Sequence, residues 1–489
     1  MRFASLVVAG FLFPVVPVAA QDRNTTSAGN SEQDSQAQQP PYVPGVRPGG
    51  VNIGDAVKIG GYGSVRYETN SLTAPKPAGF DFRRFVLTTD ATPSDRIRGY
   101  VEIEFERLGE IEVERQVQRT VDGIRFKEEL EGGSNGELSI EQMWGQFKLG
   151  EPFSIRVGAI LPPVGRFNIA HDDDRWDVPR RSLVDRGAPV LPVHAAWTEL
   201  GAGVVGSAAV GATGRLDYQA YVVNGASLDF AVEKGLEAAP GEPGTLALAS
   251  EFSLHRGPVN GEGGTRAGTW RLAYSPALSS EIAVSGYHGR YTPDFLAPVE
   301  ERINAVGLDG LFRRGGFALE GEFIHSDFGN TDRLASAFLQ AITGPRGIAP
   351  APGAEGTATE FTLKDFTPSR HGFWVEARYR FWPAAWRDSV LGKGFENPQL
   401  TPLVRYERVS LRDAIDEIAI TGREIETGEK QTLEQERTTI GLSYRPIPTV
   451  VFSVVVEHNR RLNGQELVFP RGTAAGSYTA LLAGMAFGF

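Results

Sequence analysis

The sequence predicts an all-β fold, a transmembrane antiparallel β-barrel of about 16 strands, or 18 if one further pair is counted. Three observations predict it. Apolar and polar residues alternate in many segments; short turns and long polar loops join these segments in turn; and charge breaks every apolar run beyond the N-terminus within about ten residues. Lipid offers no partner to an unpaired backbone group, so strands cross a membrane only as a closed cylinder.

The N-terminus predicts export. Arg2 precedes an apolar stretch from Leu6 to Val18, and Ala20 ends a small-residue cleavage site. A membrane anchor is the alternative, but the stretch is shorter than the roughly 20 residues that span a bilayer. We therefore expect residues 1–20 to be a signal peptide cleaved near Ala20. Residues 21–53, rich in Gln, Asn, Ser, Pro and Gly, are expected to form a flexible periplasmic lead before a barrel over 54–489.

The strands follow in order from Val57, where Val57, Ile59, Val65 and Tyr67 share one face. Seven hairpins and a last strand complete the count: 82–90 with 97–106, 138–149 with 154–160, 199–210 with 215–223, 269–274 with 282–291, 302–312 with 317–325, 372–381 with 403–409, 435–445 with 450–458, and 478–489. The eighth strand is the least certain, since 246–256 also alternates and could replace or precede 269–274. An even count places both termini on the periplasmic side, with long loops outside.

Other classes of protein fit less well. A soluble sandwich or propeller would also alternate, but a single sandwich seldom needs so many strands, and aromatic residues gather near the predicted turns as in a membrane girdle. The net charge of −11 opposes nucleic-acid binding. The absence of cysteine excludes disulfides, thiol catalysis and cysteine-bound zinc.

Short motifs carry a resemblance to known proteins. Gly484, Phe487 and Phe489 resemble the β-signal that the barrel-assembly machinery reads. The chain from about 54 to 489 resembles the phosphate-selective porin O and P family, through these four motifs: Gly60-Gly61-Tyr62-Gly63, Phe82-Arg83-Arg84-Phe85, Ile155-Arg156-Val157-Gly158 and Pro162-Pro163-Val164-Gly165. The resemblance implies a trimeric porin of 16 strands in the bacterial outer membrane, in contact with lipid and lipopolysaccharide. Its third extracellular loop, here 161–196, would fold inward, with basic residues guiding anions.

The less apolar face of each strand supplies the lumen candidates. The bases are Lys58, Arg66, Arg84, Arg98, Lys148, Arg156, Arg215, Arg271, Arg378, Arg380, Arg405, Arg437 and Arg445. The acids are Glu68, Asp90, Glu102, Glu104, Glu106, Glu199, Asp217, Asp309, Glu320, Glu322, Glu376, Glu407 and Glu457. The two totals are equal, so pairing across neighbouring strands is favoured over a net preference for one sign of ion.

The loop 161–196 is also balanced in charge, with five arginines and five aspartates. We expect it to form a constriction. The residues predicted to line the pore and contact anions are Arg83, Arg84, Arg98, Arg156, Arg166, Arg175, Arg180, Arg181, Arg186, Arg271, Arg378 and Arg380. The run from His171 to Asp174 offers oxygen ligands for a metal, but it lacks a recognised spacing. We interpret it as a solvated acidic turn and expect neither a metal nor a cofactor.

Three functions remain open. The favoured one is passive diffusion of small hydrophilic solutes, with a preference for anions such as phosphate. A barrel enzyme is less favoured, because the chain has no Gly-x-Ser-x-Gly, His-Glu-x-x-His or phosphate-binding glycine loop, although Glu102 and Glu104 share one strand face. A surface adhesin or assembly barrel would act through the loops 225–245, 328–369 and 411–433.

Overall fold

The protein is known from a computed structural model. It describes residues 49–73, 78–107, 111–120, 123–132, 137–150, 152–185, 190–193, 196–230, 233–237, 245–257, 265–277, 279–292, 299–330, 333–334, 337, 359–421 and 424–489. In some loop strands only the backbone is described. The predicted signal peptide and most of the predicted lead lie outside these residues.

Among the described residues, sixteen strands form a closed antiparallel barrel, which confirms the predicted fold class. They are β1 Val57–Asn70, β2 Ala78–Ser94, β3 Ile97–Glu106, β4 Glu137–Gly150, β5 Phe153–Ile160, β6 Glu199–Val210, β7 Gly214–Val223, β8 Ala267–Ala277, β9 Ser280–Arg290, β10 Arg302–Arg314, β11 Phe317–Asp327, β12 Ser369–Tyr379, β13 Gln399–Thr421, β14 Lys430–Arg445, β15 Val450–Asn463 and β16 Ser477–Gly488. Each pairs with the next, and β16 pairs with β1, where Gly488 lies opposite Tyr62.

The predicted segment 269–274 is the one that forms the eighth barrel strand, β8, because Arg271 in it lies opposite Gln219 in β7. The segment that competed for this place belongs to Thr245–His255, which pairs with other loop strands. The remaining strands are Val51–Ile53 beside β1, the hairpin of Ile111–Thr120 with Gly123–Gly132, Ser227–Phe230, Glu233–Glu237, Thr359–Phe366 and Glu424–Thr427. Helical turns cover Arg166–Ile169, Asp173–Arg175 and Ala384–Trp386. No helix in the described part of the chain is long and apolar enough to cross a membrane.

The barrel is apolar outside and polar inside. In β8, Trp270 and Leu272 are 44% and 41% exposed, whereas Thr269 and Arg271 between them face the lumen and are 2% and 4% exposed. A soluble sandwich has the opposite arrangement, with its apolar side chains inside. The outer wall therefore has the character of a surface that faces hydrocarbon.

Two β-bulges change which side chains face the lumen. In β4, Gln142 lies opposite Glu102 and Ile140 lies opposite Ile103, so Glu141 is an extra residue. Both Glu141 and Gln142 are consequently buried against the lumen side. In β2, Arg83 is the extra residue, between the partners of Ser64 and Val65. Each bulge thus adds one inward charge, Glu141 in β4 and Arg83 in β2.

The described residues of the segment 161–198, between β5 and β6, pack inside the barrel. Val164, Leu183 and Val184 in it are fully or almost fully buried. Its Phe167 ring stacks on Trp176 with centroids 4.5 Å apart, and Trp176 meets the edge of Trp374 in β12 at 5.6 Å. We call this segment the inner loop. It has a hydrophobic core of its own in the lumen, so it is a packed element of the fold.

Candidate functional site

The start of the inner loop is bound to β9, β10 and β11. The guanidinium of Arg166 contacts Glu320 and lies 2.8 Å from Glu281, and the Glu322 carboxylate accepts the backbone N–H groups of Arg166 and Phe167. Gly165 donates its N–H to Ser285 Oγ at 3.0 Å. These contacts satisfy the unpaired donors at the beginning of the helical turn Arg166–Ile169.

The middle of the inner loop is bound to β12 and β14 through Asp177. Arg445 Nε donates to Asp177 Oδ1 at 2.9 Å, while the guanidiniums of Arg380 and Arg378 lie 3.5 and 3.8 Å from Oδ2. Burial opposes ionisation, but the arginines Arg445, Arg380 and Arg378 outweigh it and hold the pKa of Asp177 well below its usual range. Asp177 is therefore a carboxylate at neutral pH.

The next part of the loop reaches β1, β13, β14 and β15. Arg180 contacts Glu68 and lies 2.9 Å from Glu457. Leu183 donates its N–H to Glu407 Oε1 at 3.0 Å, and Arg437 donates to the carbonyl oxygen of Arg181 at 2.7 Å. Wall carboxylates thus bind loop groups that carry either a full positive charge or an N–H donor.

The opposite wall is rich in acid. His171 Nε2 of the loop lies 3.0 Å from Glu141 Oε2 in β4, and Arg84 Nε of β2 lies 3.1 Å from Glu104 Oε1 in β3. Ser64 of β1 donates to Asp173 at 2.7 Å. In a ring of sixteen strands β4 and β12 are eight strands apart and so face each other. Because the inner loop is bound to both, it crosses the lumen.

The described residues among those predicted to contact anions lie on the lumen wall or the inner loop, and most of them have a carboxylate partner. Arg98 meets Asp90 at 2.6 Å. The other pairs are Arg83 with Asp81, Arg84 with Glu104, Arg166 with Glu281, Arg175 with Asp172, Arg180 with Glu457, Arg181 with Asp185, Arg271 with Asp309, Arg378 with Glu320, and Arg380 with Asp177. Arg186 lies outside the described residues. Ion pairing is therefore widespread in the lumen, but among these pairs only those of Arg84, Arg98 and Arg378 join neighbouring strands as the charge balance suggested.

Arg156 is placed differently. Its guanidinium lies 4.0 Å from the centroid of the Trp144 ring and donates to Gln146 and Tyr221. Among the predicted assembly-signal residues, Phe489 exchanges backbone hydrogen bonds with Gly61, and its ring stacks on Phe85 at 5.9 Å. These contacts close the barrel.

Arg313 in β10 was missed from the sequence. The alternation that turns Asp309 and Leu311 inward also turns Arg313 inward, and its Nε is buried without a hydrogen-bond acceptor. None of the ion pairs within 4.0 Å in the described part of the chain involves its guanidinium, and the charges that act on it are those of Arg380, Glu320, Arg378 and Arg166. The predicted strand ended at Phe312, two residues before the end of β10, although the alternation continues. Arg313 is thus a lumen base that has no direct ion pair but interacts at longer range with Glu320.

Taken together, the closed barrel, its apolar outer wall and charged lumen, and the loop packed across that lumen define a porin-like barrel. Among solved structures, the chain is similar to the anion-selective porin from Comamonas acidovorans, with 9% identity, a TM-score of 0.47 and coverage of 89% of this chain and 99% of that one. It is also similar to Salmonella typhi OmpF in complex with daunomycin, with 10% identity, a TM-score of 0.46 and coverage of 88% and 97%. Likeness at this level concerns the fold alone.

Comparisons with known sequences do not assign the chain to a family. No family model matches the chain. An uncharacterized protein of Aquifex aeolicus is 28% identical over 170 residues, which are 35% of this chain and 32% of that protein. The chain thus spans about a third of the length of the curated relative that it matches.

Proposed function

We propose that this protein is an outer-membrane porin through which small hydrophilic solutes diffuse passively, with a preference for small anions such as phosphate. The observation that carries the anion preference is Arg313, an inward guanidinium that forms no direct ion pair with any described carboxylate. Wall and loop charges elsewhere are largely paired, so an unpaired base has an unusually large share in the field that a passing ion feels.

A narrow passage strengthens that field. The inner loop is bound to both sides of the lumen, so solutes must pass beside it, and a confined ion interacts with fixed charges through less water. Arginine also suits phosphate, because its planar guanidinium can form two parallel hydrogen bonds to one oxyanion. Arg380, 26% exposed at its side chain and 3.5 Å from Asp177, would be the second contact beside Arg313.

The test is the zero-current potential of single channels in a potassium chloride gradient. A unit charge about 8 Å from the ion path is worth about 0.5 kcal/mol in water-like surroundings, which is roughly a twofold change in relative permeability. We expect Arg313→Gln to lower the chloride-to-potassium permeability ratio by about that factor. Arg314→Gln is the matched control, since it removes the same charge from the next residue, which is exposed on the outer face.

Phosphate is tested in the same channels by adding it to a chloride solution. We expect phosphate to reduce the chloride current of the unaltered protein, and Arg313→Gln to weaken this block. A channel with no preference for anions, or equal effects of Arg313→Gln and Arg314→Gln, would rule out the proposed role of Arg313. Absence of any channel would rule out the porin itself.

The location and assembly follow as further proposals. We expect cleavage near Ala20, folding by the barrel-assembly machinery, and a homotrimer in contact with outer-membrane lipid and lipopolysaccharide. The apolar outer wall supports the membrane part, since side chains such as Val454 and Ile440 are 54% and 62% exposed. The checks are N-terminal sequencing of the exported protein, membrane fractionation, and chemical cross-linking in native membranes, with three linked copies as the expected limit.

A further inference from the structure

Three buried side chains on the acid-rich wall bring their ligand atoms together. Glu102 of β3, Glu141 of β4 and His171 of the inner loop each offer one oxygen or nitrogen atom, and these atoms all lie within 4.8 Å of one another. The three residues are 1%, 5% and 1% exposed. Buried carboxylates at this separation need positive charge beside them, and Arg84 of β2 supplies only part of it.

The histidine is oriented as a metal ligand is. His171 Nδ1 lies 2.9 Å from the carbonyl oxygen of Asn168, which can only accept, so Nδ1 carries a proton. The other nitrogen, Nε2, faces Glu141 at 3.0 Å. Nε2 therefore has either a second proton or a lone pair directed among the carboxylates. A histidine that donates one N–H to a backbone carbonyl is a common arrangement behind a metal.

The first glutamate is oriented in a similar way. Gln142 Nε2 donates to Glu102 Oε2 at 2.6 Å, and Trp144 Nε1 donates to Gln142 Oε1 at 3.3 Å. The β4 bulge makes this possible, because it turns both Glu141 and Gln142 inward. Glu141 thus supplies a ligand atom, and Gln142 next to it holds the neighbouring ligand Glu102 in place.

A fourth carboxylate is an independent sign that positive charge belongs here. Glu104, 2% exposed, has its carboxyl group within hydrogen-bonding reach of the Glu141 carboxyl. Its Oε1 faces Arg84, but its Oε2 is buried without any donor. Two buried acceptor groups in contact require a proton or a cation between them.

We propose that Glu102, Glu141 and His171, with Glu104 beside them, bind a divalent transition-metal cation such as Zn²⁺, which joins the inner loop to the barrel wall. A mixed set of imidazole and carboxylate favours such a metal over calcium or magnesium, which prefer oxygen ligands only. The expectation of a solvated acidic turn from His171 to Asp174 is wrong, since His171, Asp172 and Asp174 are buried, and the proposal replaces the expectation of no metal. It does not depend on which solute the barrel passes.

The first test is calorimetric titration of the full chain, free of tags and chelators, with ZnCl₂. We expect one Zn²⁺ per chain, with a dissociation constant in the micromolar range or below. Loss of an outer-shell partner weakens metal sites by about 10- to 100-fold, so removal of a ligand in His171→Gln or Glu141→Gln should weaken binding at least tenfold. His288→Gln is the control, because His288 is exposed and contacts Asn304 and Arg302.

The second test needs no variant and so stands even if those variants fail to fold. X-ray absorption at the zinc edge of the loaded, unaltered protein should show one imidazole nitrogen together with carboxylate oxygens. An oxygen-only shell, no stoichiometric binding, or an equal loss of binding in His288→Gln and His171→Gln would overturn the site. In that case the cluster is held together by protons.

Discussion

Arg445 in β14 and Asp177 in the inner loop are 268 residues apart in sequence, yet Arg445 Nε donates to Asp177 Oδ1 over 2.9 Å. Arg445 also donates to the carbonyl oxygens of Asp174 and Trp176 at 3.0 Å each. One wall arginine thus binds three of the four loop residues from Asp174 to Asp177. These contacts fix this part of the inner loop to the barrel wall.

The first prediction concerns the charge of Asp177. Asp177→Asn leaves Arg378, Arg380 and Arg445 without the carboxylate that they share, so the lumen gains net positive charge. We expect the chloride-to-potassium permeability ratio to rise by about twofold, read from the zero-current potential. Asp95→Asn, in an exposed turn, is the control. A ratio unchanged from that control would show that solutes pass out of reach of this cluster.

The second prediction concerns the aromatic contact between loop and wall. Trp176 lies between Phe167 and Trp374, and its Nε1 donates to the Ala170 carbonyl oxygen at 2.6 Å. Trp176→Ala should cost about 3 to 5 kcal/mol locally and loosen the loop. We expect trypsin to cleave the folded variant after Arg180 or Arg181, where the unaltered chain resists.

Trp386→Ala, which removes a tryptophan that is 43% exposed, should leave this resistance intact. Resistance in both variants would mean that the ion pairs alone hold the inner loop.

The third prediction concerns the glycine at the entry of the loop. Gly165 has φ +71°, and a Cβ there would lie 2.7 Å from Glu322 Oε2 and 2.8 Å from Ile324 Cδ1. Gly211 has φ +66° with no atom within 4 Å of the same position. Alanine at either site costs about 1 to 2 kcal/mol for the left-handed backbone, but only Gly165→Ala also displaces wall contacts.

We therefore expect single-channel conductance to change in Gly165→Ala and to stay the same in Gly211→Ala. A shared change would assign the effect to backbone strain instead of to the position of the loop.

The fourth prediction concerns barrel closure. Phe489→Ala keeps the backbone bonds to Gly61 but removes the ring that stacks on Phe85, a contact worth about 0.5 to 1.5 kcal/mol. Folded protein is distinguished by its heat-dependent mobility on gels after insertion into vesicles, with and without the barrel-assembly machinery. If the machinery reads Phe489 as a signal, Phe489→Ala lowers the yield of folded protein only when the machinery is present. An equal decrease in that yield without the machinery would indicate a packing effect alone. Phe395→Ala, in an exposed connector, should match the unaltered chain under both conditions.

Much of the site could be read from strand alternation, and the rest depended on local irregularities. Glu102 and Glu104 were placed in the lumen because they alternate with apolar neighbours. Glu141 was not, since a bulge shifts the register of β4 by one residue. The signal was present, because the apolar positions change phase between Ile140 and Met143. Arg313 needed only one more step of the same alternation.

By itself, the sequence determined the class of fold and narrowed the barrel to 16 or 18 strands, because strand pairing repeats every two residues and lipid allows no unpaired edge. It also predicted equal numbers of lumen acids and bases, a count to which the structure adds Glu141, Arg83 and Arg313. Only the tertiary structure decided which of them meet. The partners of Asp177, Arg166 and His171 come from strands far away in the chain. They meet the loop because it crosses a closed barrel and is buried beside them, and such proximity produces no periodic pattern in the sequence.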